Sequence, residues 1–134
     1  MGMYTEFIFQ GETKANLSPE IKELINYFFG DSYDSDIGQP NSCVALPKHD
    51  FFKCDRWQHI GHMSSYYFSP FALRHKQDHI QDDGTERVFL ICNLKNYHNE
   101  IKLFLDWIAP YMEHFWGHYC YEEDDSPTFF KVRR

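Results

Sequence analysis

The residues in this chain best suited to metal binding or nucleophilic chemistry are its histidines and cysteines, and their spacing argues against both uses. Cys43, Cys54, Cys92 and Cys120 lie far apart, without the close CxxC pairs of a structural zinc site. With no export signal ahead of them they read as free thiols. Lys53 and Arg56 stand near Cys54, and cations there would lower its pKa. Cys54 nonetheless sits in no recognisable catalytic frame, so an inert thiol is expected. His75 and His79, like His114 and His118, are four residues apart, a spacing that lets two imidazoles share a metal on a helix. The first pair falls in a predicted strand and its turn, where that spacing does not converge. The second straddles Gly117 near the end of a helical pattern, where a histidine complements the negative helix terminus. No HExxH context accompanies either pair, so no metal ligand and no cofactor is expected.

His59, Ile60, Gly61 and His62 spell the HIGH tetrapeptide of nucleotidyl transferases. That motif needs a parallel-strand nucleotide fold around it, and the chain offers neither βαβ units nor a glycine-rich phosphate loop, so the match is read as chance. There is no GxSxG elbow. The carboxylates cluster in turns, and turn acids are usually solvated. The densest run is Glu122, Glu123, Asp124 and Asp125, which lacks the alternating ligands and central glycine of a calcium loop. A solvated hairpin turn is expected there, with a docking patch for a basic partner as the alternative.

These residues are positioned by elements readable from periodicity. Met3 to Gln10 alternates as a strand, with Met3, Thr5, Phe7 and Phe9 on one face. A polar connection runs from Gly11 to Leu17. Ser18, Pro19 and Glu20 open a helix by capping, fixed φ and dipole complement, and Gly30 closes it in a left-handed conformation. Residues 31–58 form a long loop whose second half, from His49 to Trp57, is too apolar to stay in water. Met63 to Phe68 and Phe71 to Gln77 read as strands, and Asp82, Asp83 and Gly84 as a hairpin turn. The apolar run Val88 to Cys92 predicts a central strand covered on both faces. The longest helical pattern is Asn96 to Phe115, capped by Asn96. Tyr97, Ile101, Phe104, Leu105, Ile108, Met112 and Phe115 form its core stripe, and Pro110 predicts a kink or break. Gly117 to Glu122 and Thr128 to Val132 make a final hairpin.

The expected fold is α+β: an antiparallel sheet of about five to six strands with two helices on one face. It is a ferredoxin-like variant with an extra C-terminal hairpin and a long loop after the first helix. Residues 1–134 form one domain, with Met1 and Gly2 a cloning remnant.

Composition narrows the function classes. The formal charge is −7, so nucleic acid and anionic membranes are disfavoured partners. No apolar run reaches the length of a membrane span, and no signal peptide is visible. The unusual feature is 13 Phe, 9 Tyr and 3 Trp. On a helical wheel Leu103 and Trp107 fall on a flank outside the core stripe, so a folded-back loop or a second molecule must cover them. Leu103, Trp107 and the acidic turn are therefore the candidate interaction residues. Trp57, His59, His62, Tyr66 and Tyr67 are the candidate pocket residues between loop 31–58 and the sheet.

The segments MYTEFIF, SSYYF, NLKNYHNEIKLFLDWI and YEEDDSPT resemble a group of small uncharacterised bacterial and phage-borne proteins. The resemblance covers about half of the chain and carries no catalytic motif. It implies a cytoplasmic bacterial or phage setting, in which small acidic proteins often serve as interaction modules. The function read from the sequence is thus a non-enzymatic acidic protein-interaction module that takes a protein partner or self-associates. A small-molecule binding module or enzyme is the alternative, and a nucleic-acid binder stacking bases on sheet aromatics is the weakest.

Overall fold

The computed structural model describes residues 4–30, 46–62 and 84–133, and the backbone of 73–78. The fold is α+β. The strands are β1 (Thr5–Thr13), β2 (Leu73–Asp78), β3 (Glu86–Leu94), β4 (Met112–Tyr121) and β5 (Thr128–Arg133). The helices are α1 (Pro19–Phe29) and α2 (Glu100–Ile108), with 3-10 turns at Asp50–Lys53, Trp57–His59 and Ala109–Tyr111. The described strands form one sheet in the order β2-β3-β1-β4-β5. Every neighbouring pair is antiparallel. Among the described residues no helix is long and apolar enough to cross a membrane.

Burial follows the alternation of β1. Thr5, Phe7, Phe9, Gly11 and Thr13 are buried against the helices, while Glu6, Ile8, Gln10 and Glu12 are only partly covered on the other face. The strand runs past Gly11 instead of ending there, because Glu12 still pairs with Arg87 and His114. α1 starts as its residues dictate: the Ser18 hydroxyl accepts from Ile21 N–H at 3.4 Å and Pro19 takes the first turn. Its end differs from expectation. Gly30 is extended, at φ −70°. Glycine is required there by space, since a Cβ would collide with the Asn26 carbonyl. β3 lies inside the sheet but is closed on one side only. Val88, Leu90 and Cys92 are buried, whereas Phe89 and Ile91 keep partial exposure.

The largest correction concerns the long helical pattern. Asn96 to Phe115 is not one helix. Asn96 does serve its start, because its Oδ1 accepts from Ile101 N–H at 2.9 Å. Asn99, however, takes the left-handed cap position, and Tyr97 stays in the preceding turn, 53 % exposed. Pro110 lacks the donor needed to continue the ladder, so α2 tightens into a 3-10 turn and the chain enters β4 at Met112. Met112 and Phe115 are buried as expected, but from a strand. A register shift between Glu12 and Thr13 marks a bulge where β4 begins, opposite Met112 and His114. Further along, β4 passes so close to β1 that a Cβ on Gly117 would overlap the Ile8 carbonyl.

Met63 to Phe68 and the Asp82–Asp83 turn lie outside the described residues, as does the first part of the loop 31–58. Its second half is ordered helical turn. Phe51 is fully buried there, its ring 6.0 Å from Phe28 of α1 and 5.4 Å from Phe104 of α2. Phe104 stands at the centre of the core. Its ring lies 5.9 Å from Phe7, 5.6 Å from Phe9 and 5.2 Å from Phe28. Phe104→Ala should lower unfolding free energy by about 3–5 kcal/mol, read as a reduced urea midpoint at unchanged slope.

Candidate functional site

The flank of α2 is closed by the chain itself. Trp107 is 3 % exposed, stacked on Phe51 at 6.1 Å and met edge-on by Phe52 at 5.0 Å. Leu103 is partly buried against the same core. The covering turn is pinned by His49. Its Nδ1 accepts from Phe51 N–H at 3.0 Å, so the proton resides on Nε2, which donates to Asp106 of α2 at 2.9 Å. One neutral imidazole thus caps the turn and fastens it to the helix. Of the two covers expected for this flank, a folded-back loop or a second molecule, it is the loop that lies on Trp107, and Trp107 offers no surface to a partner.

The pocket residues divide. Trp57 is a core ring, 5.0 Å from Phe52 and 5.7 Å from Tyr27. His62 packs on Tyr27 at 4.6 Å between ring centres, and its Nε2 donates to the Tyr27 carbonyl at 3.0 Å. Gly61 supplies the turn that makes this possible, at φ +80°, where a Cβ would press on the Phe28 carbonyl at 2.7 Å. The HIGH tetrapeptide therefore serves as a close-packed turn under α1. Tyr66 and Tyr67 lie outside the described residues.

His59 sits beside a polar nest at the start of α2. Glu100 is fully buried, and one of its oxygens accepts from His98 N–H at 2.7 Å. Its other oxygen, Arg56 Nη1 and His59 Nδ1 are buried without a hydrogen-bond partner among the described residues. Burial first, and then Arg56 and Lys95, hold the His59 imidazole below its ordinary value, with Glu100 opposing. At Cys54 the lowering that Lys53 and Arg56 could cause is outweighed: burial raises its pKa, and the carboxylates of Glu100, Asp55 and Asp50 add to the rise. Fully buried Cys92, which accepts from Gly61 N–H at 3.3 Å, is pushed up to about 12.

The acidic turn is partly structural. Glu122 accepts from Tyr4 N–H at 3.3 Å, and Asp124 accepts from Tyr121 N–H at 3.2 Å. Glu123, Asp124 and Asp125 are exposed. His114 and His118 lie on a strand, where a four-residue step carries one ring roughly 13 Å from the other. His118 instead meets Glu6 at 3.2 Å. Among the described residues no group of three His, Cys, Asp or Glu side chains is placed to hold a metal ion.

The surface that sequence reasoning missed is the sheet face turned away from the helices. Register places Glu6, Ile8, Gln10 and Glu12 of β1 beside Arg87, Phe89, Ile91 and Asn93 of β3, and beside His114, Trp116 and His118 of β4. β5 adds Phe129, Lys131 and Arg133. Asn93 is fully buried, but Trp116 is 40 % and Phe129 74 % exposed. Trp116 stacks on His114 at 5.6 Å with an interplanar angle of 17°. The two rings also line a hollow of about 640 Å³ along β4 and β5 and another of about 340 Å³ against Gln10, Glu12, Arg87 and Phe89. The signal for this face was the two-residue alternation of His114, Trp116, His118 and Cys120, hidden because it was divided between a helical pattern ending at Phe115 and a hairpin strand starting at Gly117.

Comparison of the chain with protein-family models, curated proteins and solved structures gives no match.

Two outcomes test this chemistry. The folded-state pKa of His59 lies below its ordinary 6.5, so its contribution to stability is complete above pH 6.5 and is lost as pH falls through the lower value. The wild type should therefore lose more stability than His59→Gln on going from about pH 7 to pH 5 in denaturant titrations. A thiol reagent at neutral pH should modify Cys120 and Cys54 while sparing Cys92 until the protein unfolds, as peptide mass mapping would show.

Proposed function

We propose that this chain is a ferredoxin-like variant with a C-terminal hairpin that acts as a non-enzymatic protein-interaction module. Its contact surface is the helix-free sheet face around Trp116. The strand order and the split arrangement of β1, α1, β2 and β3 support the fold assignment. A bacterial or phage setting remains part of this reading on sequence resemblance alone.

The observation that carries the function is the exposed Trp116, stacked on His114 and flanked by two hollows and by exposed Phe129. A large ring left in water has a hydrophobic cost that a partner removes. Aromatic and Arg residues are the side chains most enriched at protein contacts. Charge favours a protein over a nucleic acid. Arg87, Lys131 and Arg133 stand on flanking strands, while Glu6 and Glu12 occupy the central strand β1. A phosphate backbone crossing the face would meet those carboxylates, whereas a protein surface of mixed charge can complement both signs.

The test uses the intact protein as bait in a bacterial lysate. A protein should co-purify in stoichiometric amount, and Trp116→Ala and Phe129→Ala should each reduce its recovery about tenfold or more while retaining the wild-type circular dichroism. Equal recovery with Trp116→Ala would defeat the assignment of the face. Micromolar binding of a labelled single-stranded RNA, abolished by the same substitution, would replace the protein partner with a nucleic acid.

A further inference from the structure

β5 is an outer strand of the sheet, and among the described residues only β4 pairs with it. Such an edge presents a row of backbone donors and acceptors that another strand can complete. Its sequence, TFFKVR, has strong strand formers and no proline. Phe130 and Val132 are half-buried toward the helix side, while Phe129, Lys131 and Arg133 are exposed on the opposite side.

The hairpin is also electrically polar along its length. Glu123, Asp124 and Asp125 stand exposed just before β5, and Lys131 and Arg133 stand exposed at its far end. A strand that runs from acid to base complements a copy of itself in one orientation, the antiparallel one. We infer that β5 pairs edge to edge with β5 of a second copy of this chain, about a two-fold axis near Phe130.

That axis sets Phe130 against its own counterpart, Thr128 against Val132, and Phe129 against Lys131. Each pair shares a face of the sheet, as antiparallel pairing requires. The acidic turn of each copy then lies beside Arg133 of the other. The contact is isologous and closes at two copies, so it consumes the edge instead of propagating it. The net charge of −7 per chain opposes association, but beyond about 8 Å that repulsion is screened at physiological salt. The turn-to-strand-end contacts act within that distance. This inference goes beyond the proposed contact face, because it uses the strand edge and leaves Trp116 free.

A reciprocal charge exchange tests it by light scattering at about 100 µM protein. Wild type should show twice the mass of one chain. Lys131→Glu with Arg133→Glu, and separately Glu123→Lys with Asp125→Lys, should each give monomers with wild-type circular dichroism. An equimolar mixture of the two variants should recover the dimer mass, because each acidic end again faces a basic one. Wild type that stays monomeric, either variant that dimerises alone, or a mixture that does not reassociate would overturn the pairing. Trp116→Ala should leave the dimer intact, so loss of the interaction face and loss of the dimer remain separate results.

Discussion

The Phe104 ring is the point on which the layers of this protein converge. It touches Phe7 and Phe9 of the sheet, Phe28 and Phe29 of α1, and Phe51 of the loop that follows α1. Aromatic pairs at these separations add edge-to-face attraction to the burial of large apolar areas. A helix that only lay on a sheet would leave its back to water. Here the Phe51–Phe52 turn closes that back, so the sheet, the helices and the turn form one continuous ring cluster. The abundance of phenylalanine in the sequence is largely explained by this arrangement.

Closure on the helix side sorts the three tryptophans. Trp57 and Trp107 are absorbed by the core, while Trp116 is left outside. The same division sorts charge. A chain of net −7 places Arg87, Lys131 and Arg133 on the helix-free face and gathers Glu123, Asp124 and Asp125 at one hairpin end. Net charge is therefore a poor guide to the local surface that a partner meets.

Much of the fold was legible because local rules operated unopposed. The alternation of Thr5, Phe7 and Phe9 became the buried face of β1, and Ser18 with Pro19 opened α1 as their chemistry requires. The apolar half of the loop folded back through Phe51 and Trp57. The failures have identifiable causes. Met112 and Phe115 extend the spacing of α2 by coincidence, so a core stripe of helical period hid a strand of period two. Pro110 marked the break, but proline alone does not specify whether a kinked helix or a strand follows. Reading a helix there concealed Trp116, and with it the face assigned here to binding. What the sequence could not show at Cys54 is its surroundings: burial raises its pKa first, and Glu100, distant in sequence but near in space, adds to the rise against the nearby Lys53 and Arg56.

The passage from α2 to β4 contains no free loop, only the 3-10 turn at Ala109–Tyr111. Tyr111 is itself held, because its carbonyl accepts from Lys14 N–H at 2.9 Å next to the bulge. Trp107 inside the core and Trp116 outside it are therefore joined by a segment without slack. Such a joint behaves as a rigid strut: it fixes the pitch of the exposed ring relative to the helix layer, and inserting or deleting a single residue would swing Trp116 to the opposite side of the sheet.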